Sequence, residues 1–142
     1  MLRKLIAPVV LMTALAGVAQ AEEHVVLMLN RGEAGTMVFE PGFVHAQVGD
    51  TIRFVPTDRG HNAELIEGLA PEGAAPFAGR INEEIVVTLD TEGVYGVMCR
   101  PHFAMGMVMS IAVGDVEIPE GFLEGRLPRN ARTRLEEQLS NL

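Results

Sequence analysis

The densest chemistry in the chain lies in Cys99-Arg100-Pro101-His102-Phe103-Ala104-Met105-Gly106-Met107, where a thiol, an imidazole and thioethers share one short stretch. Pro101 and Gly106 suit a tight return of the chain. Cys99 is the only cysteine, which excludes an intramolecular disulfide, a Cys-rich zinc cluster and two-cysteine haem attachment. Three uses of one cysteine remain: a buried thiol, an intermolecular disulfide or a metal thiolate. The soft set of thiolate, imidazole and thioether favours copper over zinc, calcium or magnesium. Cys99 as nucleophile with His102 as base is the competing enzymatic reading. Three-residue spacing on a tight turn beside a soft methionine aims both groups at a common centre and offers no oxyanion site.

A copper site of this composition needs a second imidazole. His61 follows Gly60 at the start of a short apolar stretch, a good ligand position. His24 lies near the start of the first strand, and His45 falls inside a strand, where a surface or packed role is expected. Met105 is the one close rival to Met107 as the sulfur donor, while Met37 and Met109 suit packing. The pairs Glu83-Glu84 and Glu136-Glu137 read as solvated charge rather than an acid-base couple.

These groups must be carried by strands. His24–Asn30 is a β-branched run closed by the turn cluster at 31–35, and Thr36–Phe39 and Phe43–Gln47 flank Glu40-Pro41-Gly42. Thr51–Val55 alternates as a half-buried strand after a Gly49-Asp50 turn. Residues 68–79 read as a connection. Glu83–Leu89, Gly93–Cys99 and Met107–Val113 complete the strands, and many short strands between turns predict a sandwich or barrel. Alternation puts Tyr95, Val97 and Cys99 on one face, with Met107, Met109, Ile111 and Val113 on another apolar face. Cys99 and Met107 are thus both in register with core residues. From Pro119 the pattern changes. Pro128 suits the first position of a helix, and Ala131, Leu135 and Leu139 recur at helical spacing, so the tail is an amphipathic helix packed on the sheet.

Charge and composition narrow the partners. The chain carries 11 Lys and Arg against 19 Asp and Glu, no Trp and one Tyr, a poor basis for nucleic-acid binding. Residues 1–21 have Arg3 and Lys4, an apolar stretch to Val18 and then Ala19-Gln20-Ala21, the pattern of a signal peptide cleaved after Ala21. The stretch is too short, and too interrupted by Pro8 and Gly17, for a membrane span. The expected organisation is a signal peptide, 1–21, and one mature domain, 22–142, with no membrane span. Within that domain, 22–114 form the sandwich and 115–142 the helical tail. Cleavage removes the only lysine, so every mature cation except histidine is an arginine.

MLNRGEAGTMVFEPGFVHAQVGD, FVPTDRGHNAELI, GVYGVMCRPHFAMGMVMSIAVGD and the tail from Pro119 resemble the small blue copper proteins, the cupredoxins, and among them the pseudoazurin branch. The resemblance spans essentially all of the mature chain. It implies an all-β, cupredoxin-like Greek-key β-sandwich with a C-terminal helical extension. It also implies one type 1 copper ion, Cu(I)/Cu(II), held by His61, Cys99, His102 and Met107, with Asn62 supporting the thiolate by hydrogen bonding. The implied function is non-enzymatic: a periplasmic, monomeric carrier of single electrons between redox proteins such as copper nitrite reductase or a c-type cytochrome. A periplasmic copper carrier or chaperone using the same ligands is the alternative. The branch typically rings its copper edge with lysines. Here Arg31 and Arg59 take such positions and Arg100 adds a cation within the ligand turn, which leaves two readings: scattered surface arginines, or a small arginine docking face around His102 with acidic charge elsewhere.

Overall fold

The computed structural model describes residues 20–140 and 142; the leader read at 1–21 lies almost wholly outside the described residues. The described chain forms β1 (Glu23–Gly32), β2 (Gly35–Glu40), β3 (Phe43–Ala46), β4 (Thr51–Val55), β5 (Glu64–Leu65), β6 (Ile85–Thr88), β7 (Gly93–Met98), β8 (Val108–Val113) and α1 (Arg129–Leu139). One sheet has the order β2-β1-β4-β6 and the other β3-β8-β7-β5. The chain changes sheet at every connection from β2 to β7, which wraps both sheets around one core.

The inner face follows from side-chain alternation. Val26 and Met28 of β1 and Ile52 and Phe54 of β4 point inward. They meet Val97, Met109, Ile111 and Val113 from the opposing sheet in one apolar cluster. Phe54 anchors its centre, with Phe39 edge-on at 6.1 Å and Phe77 at 5.8 Å, arrangements worth about 1 kcal/mol each beyond burial.

The strand ends differ from expectation by small amounts with physical causes. β1 runs through Arg31 to Gly32 because these residues pair with Thr36 and Gly35, which confines the turn to Glu33-Ala34. Cys99 lies one residue past β7, where it caps the 3-10 turn Arg100–Met105. Pro128 precedes the helix as its cap instead of occupying its first turn.

The larger departure is β8, which is buried at every position, although alternation marks only one of its faces as apolar. The tail explains it. Ala131, Leu135 and Leu139 are buried on one side of α1, and Ala131 and Leu135 pack with Val108, Ile66 and Leu69 in a second cluster. The second sheet is therefore covered on both faces, by the first sheet and by α1.

Candidate metal centre

Two loops at one end of the sandwich bring the donors together. The loop after β4 delivers His61 and the turn after β7 delivers Cys99 and His102. His61 and Cys99 are fully buried, and His102 is half-buried on the turn. The His61 Nδ1 lies 3.1 Å from the His102 Nδ1, and the Cys99 Sγ lies 3.6 and 3.5 Å from these two nitrogens. Met107 is fully buried beside them and is tied to both partners by its backbone. Its N–H donates to the His102 carbonyl at 3.1 Å, and its carbonyl accepts from the Cys99 N–H at 3.0 Å. Met105 is 49 % exposed, so it is the turn's solvent-facing sulfur, while Met109 belongs to the core.

The tautomer of His61 follows from its neighbour. Its Nε2 sits 2.9 Å from the Asn30 side-chain oxygen, an acceptor only, so Nε2 carries the proton and Nδ1 presents a lone pair. That lone pair faces a second ring nitrogen and a sulfur. Two ring nitrogens and a sulfur at this spacing are the soft, mixed donor set that would suit copper. Burial and the adjacent His102 hold the His61 pKa below the ordinary value, with Asp58 opposing. Burial pushes the Cys99 thiol up, against backbone N–H groups of Asn62 and His102 that favour the thiolate. A metal must therefore displace the thiol proton as it binds. The donor set fits copper.

A polar bracket locks the two loops together. The Asn62 side-chain oxygen accepts from the Arg100 N–H at 2.8 Å, and its Nδ2 donates to Glu64 at 2.8 Å and to the Gly79 carbonyl at 3.0 Å. The Arg100 guanidinium in turn ion-pairs with buried Glu64. Asn62 follows His61 and Arg100 follows Cys99, so this closed ring fixes one ligand relative to the other. Asn82 pins the same loop, accepting from the Gly60 N–H at 2.6 Å and donating its own N–H to the His61 carbonyl at 2.8 Å.

The tail braces the turn from the other side. Arg134 of α1 donates to the Gly106 carbonyl at 2.6 Å and to the Met37 carbonyl at 2.7 Å. Gly106 has φ +89°, and a Cβ there would meet the Asn130 backbone at 3.0 Å, so glycine is required for both its conformation and the close approach of α1. Asn30, Glu64, Asn82 and Arg134 were not singled out from sequence. A glutamate inside the apolar stretch after His61 is the one local signal that existed.

The sequence-predicted residues separate clearly. His61, Cys99, His102 and Met107 come together, and His61, Cys99 and His102 form the described cluster of His, Cys and acidic donors able to hold a metal. His24 and His45 lie elsewhere, bonded to Asp50 and to the Gly114 carbonyl. Arg31 and Arg59 are exposed, and the Arg100 guanidinium pairs with Glu64 while its side chain stays 71% exposed.

Known proteins match this arrangement. The family of copper binding proteins described as plastocyanin/azurin matches residues 26–114. Pseudoazurin of Paracoccus pantotrophus is 47% identical over 130 residues, covering 91% of this chain and 90% of the relative. The crystal structure of pseudoazurin from Methylobacterium extorquens AM1 superposes with a TM-score of 0.79 at 42% identity, covering 84% of this chain and 98% of that one. That of native pseudoazurin from Hyphomicrobium denitrificans gives 0.75 at 42% identity, with the same coverages.

Proposed function

The chain belongs to the copper-binding plastocyanin/azurin family, in its pseudoazurin branch, and from that premise we propose that His61, Cys99, His102 and Met107 hold one type 1 copper ion in an exported single-electron carrier. The observation that carries this reading is the convergence of two Nδ1 atoms and one Sγ within 3.6 Å of one another. Copper held by these four residues would supply a one-electron couple, Cu(I)/Cu(II).

The chain's own residues do the remaining work. The Asn62–Glu64–Arg100 ring and the Arg134 brace keep the donors in place whether or not an electron has arrived, so little must move during transfer. Asn30 fixes the ring orientation of His61 through its far nitrogen. Met107 and the core around it exclude water. His102 is the half-buried ligand, and with exposed Pro101, Ala104 and Met105 it offers an apolar edge through which an electron leaves. A weak, transient partner contact suffices there.

The carrier acts in the periplasm, after cleavage behind Ala21, as a monomer whose partner is a copper nitrite reductase or related denitrification enzyme, with a c-type cytochrome as a further partner. A copper chaperone would need an accessible, releasable site, and burial of His61, Cys99 and Met107 opposes release. Stopped-flow mixing of the reduced protein with a copper nitrite reductase tests this function. One electron is delivered per molecule, with the copper retained. Net loss of copper to the acceptor, or no electron transfer to any such reductase, contradicts it.

A further inference from the structure

The first residues after the proposed cleavage site are Glu22-Glu23-His24, which places a histidine third from a new α-amine. The structure brings the Glu22 backbone nitrogen, which cleavage would free as the amine, and that imidazole to one carboxylate. The Glu22 N lies 2.8 Å from the Asp50 Oδ1, and the His24 Nε2 lies 3.1 Å from the Asp50 Oδ2. Asp50 accepts only, so His24 is the Nε2–H tautomer or imidazolium, and in the neutral form Nδ1 keeps its lone pair. Glu22 and Glu23 are exposed and the His24 side chain is 18% exposed, so the amine end is open to solvent and the imidazole reaches it as the first residues lift away. It lies at the far end of β1 from Asn30, which holds the His61 ring.

We propose that the mature N-terminus is a second copper site, separate from the type 1 centre and selective for Cu(II) or Ni(II); it rests on the processing reading above. The α-amine, the amide nitrogens of Glu23 and His24, and the His24 Nδ1 supply four nitrogens in one plane. That is the tetragonal nitrogen field these two ions prefer. Coordination releases one proton from the ammonium and one from each amide, with no change in metal oxidation state. The spacing is strict, because the chelate rings close only when histidine is the third residue.

Asp50 is the built-in competitor for this site. Binding requires the amine to leave its carboxylate and the first residues to peel from β4, where the Thr51 N–H donates to the Glu22 carbonyl at 2.9 Å; the His24 Nε2–H can stay on Asp50, because Nδ1 is the nitrogen that meets the metal. Two hydrogen bonds are exchanged, which at the usual net worth of such bonds lowers affinity about thirtyfold relative to the same three residues in a free peptide. Metal occupancy and the folded start of β1 therefore oppose each other.

The test uses the exported protein with its type 1 site already copper-loaded. Intact mass first establishes whether the chain starts at Glu22; a different start overturns the processing reading and this site with it. Cu(II) is then added while electron-spin-resonance is followed, and Ni(II) while visible absorption is followed. One further equivalent of either ion is expected, with a square-planar signature and an unchanged blue band. His24→Ala abolishes the second signal, and a chain retaining Ala21 ahead of Glu22 weakens it at least a hundredfold. Asp50→Asn tightens binding about tenfold by removing the charged competitor. A second equivalent that survives both His24→Ala and the retained alanine, or no second equivalent in a chain starting at Glu22, overturns the proposal.

Discussion

Two buried carboxylates, each with a side chain 6 % exposed, serve opposite ends of the molecule in different ways. Glu64 sits beside the metal donors and is satisfied by side chains, the Arg100 guanidinium and the Asn62 amide. Asp50 sits at the start of β1 and is satisfied mostly by main chain, the N–H groups of Glu22 and Gln47, with His24 alongside. A carboxylate held by side chains from two loops fixes those loops relative to each other. A carboxylate held by main-chain donors fixes the path of the backbone. The first arrangement positions ligands, and the second positions a strand and its turn.

Breaking the first bracket has the largest expected effect. Arg100→Ala leaves Glu64 buried with only Asn62 for a partner, a loss of about 3 kcal/mol by the cost of orphaning a buried charge, discounted because the guanidinium is largely exposed. Urea denaturation of the metal-free protein measures it, and the copper-loaded form shows a displaced blue band. Glu64→Gln costs less, because the freed guanidinium returns to water. If both variants keep the native spectrum, the bracket does not position the ligands.

Asp50→Ala sharpens the contrast from the other end. It removes acceptors for two main-chain donors and costs about 2 kcal/mol, with the copper spectrum unchanged. A shifted spectrum would show that the two ends are coupled.

The acid limb of stability reports on Asp50. Hydrogen bonds from Gln47 and Glu22, followed by His24, lower the Asp50 pKa from 3.8 to about 2. A depressed folded pKa stabilises above the unfolded value and loses that contribution as pH falls toward the folded one. The Asp50 contribution is therefore complete above pH 4 and disappears toward pH 2. Acid titration of thermal stability should show this decline, and Asp50→Asn should flatten it.

The smallest stability effect belongs to the exposed arginines near the metal end, Arg31 and Arg59. Arg31→Glu with Arg59→Glu changes stability within about 0.5 kcal/mol but slows association with an acidic-patch reductase at low salt, with convergence at high salt. Equal rates at every ionic strength would move the docking face away from these residues.

The legible parts of this molecule are those encoded over short separations. The turn from Cys99 to Met107 declares its donors within nine residues, and alternation in β1 and β4 marks the inner face correctly. The bracket is not legible in that way, because Glu64 and Arg100 are 36 residues apart. His61 and Asn30 are separated by 31 residues, and Arg134 and Met37 by 97. Partners that distant are chosen by topology, which no local pattern reports. The same reason hides the double burial of β8: its sequence shows an apolar face, while its cover comes from a helix that begins 16 residues after the strand ends. Arg100 shows the same limit. Its position in the ligand turn identifies a cation at the metal end, but only the fold reveals that Glu64 has claimed it.

The central claim is that two imidazoles, one thiolate and one thioether form a type 1 copper site. Visible and electron-spin-resonance spectra of the copper-loaded protein, recorded beside Cys99→Ser, test it most directly. An intense blue charge-transfer band with a narrow copper hyperfine splitting is expected, with complete loss of the band in Cys99→Ser, because serine supplies no soft thiolate. A colourless protein that binds only Cu(I), or a blue band that survives in Cys99→Ser, would contradict it.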